Sequence, residues 1–310
     1  MSDREGIVVR SHGGHYYVDT GNEVVDCTMR GRVKQRRGES DLIAVGDRVR
    51  WSPLEEGGGI IEEVLPRHAV LSRTPPPPRA PIEQVIIANP DQVLVVMALM
   101  NPPPNPFMLD RYLVACTAVE LPAVIVANKV DLVVAAMAAD DTIAEDPRGI
   151  FALYEELGYT VHYVSAATGE GIDALRDVLR GKLSVLTGPS GTGKSSLLNA
   201  LWPELDLRTG AVSEFHDRGR HTTVVAQLLR PERDTYVADT PGLRQFRFWD
   251  IDPEQLDAFF PEFAPYLNAC RFQPCTHTHE PDCAVRAAAE RGDVPPLRYE
   301  SYVRMFEHGF

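Results

Sequence analysis

The sequence predicts a multidomain α/β protein, and three observations carry that prediction. Short β-prone runs between glycine turns fill the first 72 residues, apolar strands alternate with helical stretches over residues 85–240, and short helices surround a cysteine-bearing segment beyond residue 250. The stretch Thr74-Pro75-Pro76-Pro77-Pro78-Arg79-Ala80-Pro81 separates the first region from the second. Consecutive prolines fix φ and favour an extended, fairly stiff path, as a linker requires. The expected domains are therefore 1–72, a proline-rich linker at 73–84, 85–248 and 249–310.

In the first domain the runs Gly6–Arg10, His15–Asp19, Val24–Met29, Asp47–Trp51 and Ile60–Val64 alternate as the strands of a small β-barrel do, and an OB-type barrel is expected. In the second, strands are expected at Gln92–Met100, Ala123–Ala127, Thr160–Val164, Leu183–Thr187, Thr223–Leu229 and Thr235–Ala238, with helices at 107–119, 145–157, 171–181 and 194–201. The third is expected to be α-helical, over Pro253–Phe260, Cys283–Gly292 and Pro296–Phe306. No internal repeat is evident.

Composition narrows the functional classes. The longest apolar runs, Val93–Met100 and Val133–Ala139, fall short of the roughly 20 residues a membrane helix needs, so no span is expected. Met1-Ser2-Asp3-Arg4-Glu5 carries charge where a secretory signal needs an apolar stretch, which points to the cytoplasm. Five cysteines cannot all pair, and Cys270, Cys275 and Cys283 crowd together beside histidines, which suggests a metal and not disulfides. A net charge of −13 argues against nonspecific nucleic-acid binding. Residues 30–37, RGRVKQRR, are either a local basic patch or a solvated loop.

Gly188-Pro189-Ser190-Gly191-Thr192-Gly193-Lys194-Ser195, followed by Ser196, fits G-x-x-x-x-G-K-[ST] between an apolar run and a helical one. In that context backbone N–H groups and the helix N-terminus favour phosphate, Lys194 reaches the β and γ phosphates, and Ser195 holds magnesium. Asp239-Thr240-Pro241-Gly242 resembles the D-x-x-G element that helps hold magnesium and offers an N–H to a γ phosphate. Thr222 and Thr223 lie between the two motifs, and either would complete the magnesium shell. Asn128-Lys129-Val130-Asp131 fits N-K-x-D. The Asp131 carboxylate accepts both the N1–H and the amine of guanine, a pair adenine lacks, so GTP and GDP are the expected nucleotides. Asn128 would contact the base edge, and the stem of Lys129 would lie across the ring. Ser165-Ala166-Ala167-Thr168-Gly169, after a strand and before a helix, matches the remaining base-contacting loop, with Ser165, Ala166 and Ala167 as its candidate contacts.

The order is unusual, because the base reader precedes the phosphate loop. In a doubly wound sheet the ligand sits where loops leave the carboxyl ends of strands, so convergence matters and chain order does not. The arrangement is a circular permutation, and it places the C-terminal domain directly after the D-x-x-G element.

These motifs, with Val45-Gly46-Asp47-Arg48-Val49, Ala88-Asn89-Pro90-Asp91-Gln92, Leu109–Leu113, Gly219-Arg220-His221-Thr222-Thr223, Cys270-Arg271-Phe272, Glu280–Val285 and Arg298-Tyr299, resemble the circularly permuted, small-subunit-dependent GTPases of the RsgA (YjeQ) family over essentially the whole chain. The resemblance implies an OB-fold RNA-binding domain, a permuted GTPase core and a C-terminal zinc domain. It implies late maturation of the small ribosomal subunit, with GTP hydrolysis to GDP and phosphate stimulated by that subunit and its rRNA; a monomer is expected. Cys270, Cys275, His277 and Cys283, spaced C-x4-C-x-H-x5-C, would form a closed zinc shell, with His279 as the alternative imidazole. The position after D-x-x-G is Leu243 where many GTPases carry a water-orienting glutamine. His221 is the candidate for that role, with Lys194 as the other catalytic group; His221 otherwise contacts RNA or braces its loop. Arg218 and Arg220 serve either transition-state charge or rRNA phosphates. Two alternatives stay open: a permuted GTPase working with another partner in translation or RNA handling, and a zinc-dependent RNA-binding module with GTP as ligand only.

Overall fold

The computed structural model describes residues 4–30, 43–73, 84–139, 146–207, 227–239 and 251–309. Strands β1 (Arg4–His12), β2 (His15–Asp19), β3 (Val24–Met29), β4 (Arg48–Pro53) and β5 (Gly59–Val64) close into a barrel. The pairing runs β1-β2-β3-β5-β4 and returns to β1, with β3 and β5 parallel and the other pairs antiparallel. Val8, Val18, Cys27, Val49, Trp51 and Ile61 point inward, one face of each alternating strand.

Two strands not expected from the sequence follow, β6 (Val70–Arg73) and β7 (Gln84–Ala88), paired antiparallel. They flank the proline segment, so Arg73 and Gln84 at its ends belong to a hairpin-like pair. Residues 74–83 lie outside the described residues. The proline run between the two strands reads as a linker, and that signal extends over the strand ends.

The central sheet has the order β10 (Thr160–Val164), β9 (Ala123–Asn128), β8 (Gln92–Ala98), β11 (Leu183–Thr187), β13 (Thr235–Asp239), β12 (Gln227–Glu232). Every neighbouring pair is parallel except β12 with β13. All residues of β8 and β11 are buried, as strands covered on both faces must be, which is why they read as mostly apolar runs; the polar Gln92 and Ser184 among them bond to each other (3.0 Å). The helices are α1 (Pro106–Ala118), α2 (Val130–Ala138), α3 (Arg148–Glu156), α4 (Ile172–Leu179) and α5 (Lys194–Leu201). Asn105 caps α1 through the Met108 N–H, and Pro106 opens it, a position that needs no donor. Helix α2 is not expected from the sequence, because its apolar run VDLVVAAMA shows no polar stripe; Val134 and Met137 are exposed. Thr223–Ala226 of an expected strand fall outside the described residues, and the strand is observed from Gln227.

The C-terminal region is built from 3-10 turns at Pro253–Phe259, Pro261–Phe263 and Leu267–Ala269, then α6 (Ala284–Arg291) and α7 (Pro296–His308). Leu256, Phe260, Phe263, Val285, Tyr302 and Met305 form its core together with Val114 of α1. Among the described residues no helix is long and apolar enough to cross a membrane.

The barrel and the central sheet share one hydrogen-bonded sheet through Arg10 of β1 and Gln227 of β12. Arg230 donates to buried Asp19 (2.8 Å), and the Tyr236 hydroxyl donates to the other oxygen of that carboxylate (3.1 Å). At a second junction Gly46 has φ +91°, and a β-carbon there would lie 2.0 Å from the Ala88 carbonyl oxygen. Asn89 Nδ2 donates to the Gly46 carbonyl (3.1 Å), while Asp47 accepts from Arg67 and from the Ala44 N–H. Gly46→Ala is therefore expected to cost at least about 2 kcal/mol, from left-handed strain plus a clash with backbone that cannot yield. An unchanged urea midpoint would refute this.

Candidate functional site

The loops leaving the carboxyl ends of β8, β9, β10 and β11 meet at one edge of the sheet. Parallel pairing fixes their heights: Ala98 lies beside Asn128, Val164 beside Asn128, and Thr187 beside Val95. The phosphate-type loop 188–193 follows β11 and runs into α5, whose first residues are Lys194 and Ser195. Lys194 Nζ donates back to the carbonyls of Gly188 (2.8 Å) and Pro189 (2.7 Å), and the Thr192 hydroxyl donates to Pro189 (3.0 Å). Ser190 and Ser196 are exposed, and Ser195 is half-buried.

The N-K-x-D segment closes on that loop. Asn128, 1% exposed, donates through Nδ2 to the Thr192 carbonyl (2.8 Å), and its Oδ1 accepts from the Ala166 N–H (3.3 Å). One amide thus ties together loops that lie 38 and 64 residues away in sequence. The approach is so close that a β-carbon on Gly193, at φ +91°, would sit 2.5 Å from Asn128 Nδ2. Lys129, at φ +71°, donates from Nζ to the carbonyls of Gly191 (2.7 Å) and Asn101. Burial lowers its pKa, and Asp131 opposes that shift. Asp131 accepts from the Ser165 hydroxyl (2.6 Å), which in turn accepts from the Thr168 N–H (3.1 Å); the carboxylate is thereby aimed from a fixed direction. Ala167 is exposed beside them.

Asp239 ends β13, one residue past the Ala238–Val185 pair, so its backbone lies beside the strand that launches the phosphate-type loop. His221, Thr222, Thr223 and Gly242 lie outside the described residues, as do Arg218 and Arg220. The arrangement places a carboxylate acceptor, a lysine stem beside it, and a glycine-rich turn capping a helix N-terminus on one rim. Sequence reasoning missed Asn101, which follows β8 and accepts from Lys129, and Pro102, whose Cδ lies 3.5 Å from where a β-carbon on Gly191 would stand.

A second cluster occupies the C-terminal region. The ligand atoms of Cys270, Cys275, His277 and Cys283 all lie within 4.8 Å of one another. Cys270 Sγ is 3.5 Å from His277 Nδ1 and 3.9 Å from Cys283 Sγ, and His277 Nδ1 is 3.4 Å from Cys283 Sγ. A tetrahedron with Zn–S near 2.3 Å and Zn–N near 2.0 Å has edges of about 3.8 and 3.5 Å, so the donor set fits zinc. His277 Nε2 faces Asp257 Oδ2 at 3.2 Å, the partner that fixes a metal-bound imidazole; His279 faces Thr278 instead. Burial pushes the Cys275 thiol up to about 12, with Cys283 and Cys270 adding to the shift, and burial raises Cys283, with Cys270 adding and Cys275 opposing. A dication reverses that preference by binding thiolates.

Comparison with known proteins agrees with this geometry. The family model described as RsgA GTPase matches residues 64–249, and that of the RsgA N-terminal domain matches 5–61. A protein of Gemmatimonas aurantiaca named small ribosomal subunit biogenesis GTPase RsgA is 47% identical over 303 residues, 97% of this chain and 95% of that one. The crystal structure of YjeQ from Thermotoga maritima superposes with a TM-score of 0.78 at 36% identity, over 99% of both chains. That of YloQ, a circularly permuted GTPase, gives 0.75 at 29% identity, over 99% of this chain and 95% of that one. With a GTPase model spanning more than half of its length and a relative close to half identical, this chain belongs to the RsgA GTPase family.

Proposed function

We propose that this GTPase serves the biogenesis of the small ribosomal subunit in the cytoplasm, as a monomer that docks on the subunit and its rRNA, hydrolyses GTP when docked, and then leaves. The observation that carries the nucleotide reading is the closure of Asn128 and Lys129 onto Thr192 and Gly191. The ribosomal reading rests on the name borne by the relative that is 47% identical.

In this reading Asp131 accepts the two guanine donors, held in position by Ser165. Lys129 lies across the base, and Asn128 braces the base loop at Ala166-Ala167 against the phosphate loop. Backbone N–H groups of residues 188–193 and the N-terminus of α5 hold the phosphates, with Ser196 at the rim. Lys194 exchanges its two carbonyl partners for β and γ oxygens, a charge-assisted gain that turnover requires. Ser195, one of Thr222 and Thr223, and Asp239 hold magnesium, which when bound neutralises charge developing between the β and γ phosphates. Thr223 is our choice of ligand, Gly242 offers its N–H to the γ phosphate, and His221 positions the attacking water. Cys270, Cys275, His277 and Cys283 hold zinc in a closed shell, and the barrel supplies RNA contact.

The test is GTP hydrolysis at fixed salt with and without isolated small subunits, using Lys194→Ala as control. Stimulation of at least about tenfold, lost in the control, is expected. Unstimulated turnover with GTP still bound would overturn the ribosomal reading.

A further inference from the structure

Arg298 lies on α7 and is fully buried, 188 residues from the carboxylate it meets. Its Nη1 donates to Asp110 Oδ1 on α1, and its Nε and Nη2 grip both oxygens of Glu262, at 2.6 and 3.3 Å. The Tyr154 hydroxyl donates to the same Asp110 oxygen (2.7 Å), and Phe260 lies 4.6 Å below the guanidinium. Separating such a pair would strand charges away from water, so α1 and α7 move together or not at all.

Both ends of this joined body touch something chemical. On the nucleotide side, Leu109, Tyr112 and Leu113 of α1 pack in one core with Met97 and Leu99 at the end of β8 and with Val130, which stands between Lys129 and Asp131. The turn ahead of α1 supplies the Asn101 carbonyl to Lys129 and sets Pro102 against Gly191. On the other side, α7 holds the cysteine-histidine loop from two points: Tyr299 donates to the His277 carbonyl and Tyr302 to the Thr276 carbonyl, each at 2.7 Å.

We propose that Arg298 is a positioning residue for the nucleotide site: acting through Asp110, it fixes the helix whose preceding turn abuts the phosphate loop and makes the cysteine-histidine unit sense bound nucleotide. The inference rests on the reading of residues 128–131 and 188–195 as the nucleotide site. It is distinct from any pull exerted through the chain after Gly242, because the contacts named here do not pass through that segment. By linkage, nucleotide that orders α1 must order α7, and loss of the clamp must weaken nucleotide binding.

The experiment is hydrogen exchange over residues 296–308 of the full chain, without nucleotide and with saturating GDP, alongside GDP titration. In the parent protein GDP should slow exchange there. In Arg298→Met, exchange should rise and become the same with and without GDP, while GDP affinity falls about tenfold. Arg298→Lys should restore part of both. A purely structural Arg298 would raise exchange yet keep the GDP-dependent difference and the affinity, and that result overturns the proposal. Should Arg298→Met fail to fold, Tyr154→Phe removes the hydroxyl that donates to Asp110 and leaves both carboxylate partners of Arg298 in place. It should shrink the GDP response of 296–308 with the ion cluster intact, and an undiminished response would refute the path. A parent that does not bind GDP sinks the nucleotide-site reading itself; one that binds GDP without any response in 296–308 sinks only this inference.

Discussion

Asp131→Asn lowers affinity for GTP by roughly 100-fold or more and turns preference toward xanthosine triphosphate. A carboxylate accepting from N1–H and from the exocyclic amine of guanine makes two charge-assisted bonds, each of about 1.5–3 kcal/mol. An asparagine amide offers one acceptor and one donor, so the guanine amine meets an N–H, whereas xanthine carries a carbonyl at that place. Ser165, bonded to Asp131 Oδ1 at 2.6 Å, holds the replacement in the same plane. Competition titrations with GTP, XTP and ATP measure the change. Undiminished GTP preference would remove Asp131 from the base site and leave the pairing of N-K-x-D with the phosphate loop without its chemical reason.

Stripping metal with a chelator, or replacing Cys283 with serine, should unfold residues 251–309 and leave the barrel intact. The C-terminal core is small, and Cys270 and Cys283 are members of it, packed with Leu256, Phe260, Phe263 and Tyr302. Structural zinc contributes apparent free energies of about 10–16 kcal/mol in small domains, comparable with or larger than the whole stability of an ordinary one. Without it, His277 and the cysteines are buried polar groups whose mutual contacts replace only part of their hydration. The measurement is metal content with limited proteolysis: cleavage within 251–309 should follow metal loss. Barrel fragments of the same stability should survive, since its core of Val8, Val18, Val49, Trp51 and Ile61 shares no residue with the other. Resistance of the stripped protein to proteolysis would mean that packing alone holds the region.

Much of the architecture is readable along the chain. Barrel strands alternate at period two, and β2 and β3 are observed over the residues that the alternation predicts. The edge strand Thr160–Val164 and the buried strand Leu183–Thr187 both announce themselves as short runs rich in β-branched and apolar residues bounded by turns. The phosphate-type loop is legible because its backbone geometry demands glycines at set spacing. Helix α2 is not, since a run without polar positions has no period to detect. Strands β6 and β7 are hidden because they border the proline segment, whose linker signal claims Arg73 and Gln84 at their ends.

What the sequence by itself determined is local: most of the strands and helices, where turns fall, and which residues are the candidates for phosphate, base and metal chemistry. Each depends on residues a few positions apart, so φ preferences, hydrophobic period and motif spacing suffice. Only the tertiary structure decided how the pieces meet: Arg298 with Asp110 across 188 residues, Arg230 with Asp19 across 211, and Lys129 with the Asn101 carbonyl. Those partners are ordinary surface residue types, and nothing local distinguishes them from solvated ones. Arg298 and Asp110 become a buried ion pair because α1 packs between two cores that exclude water, and Arg230 meets buried Asp19 because the barrel closes on the central sheet; unpaired charge at either place is costly.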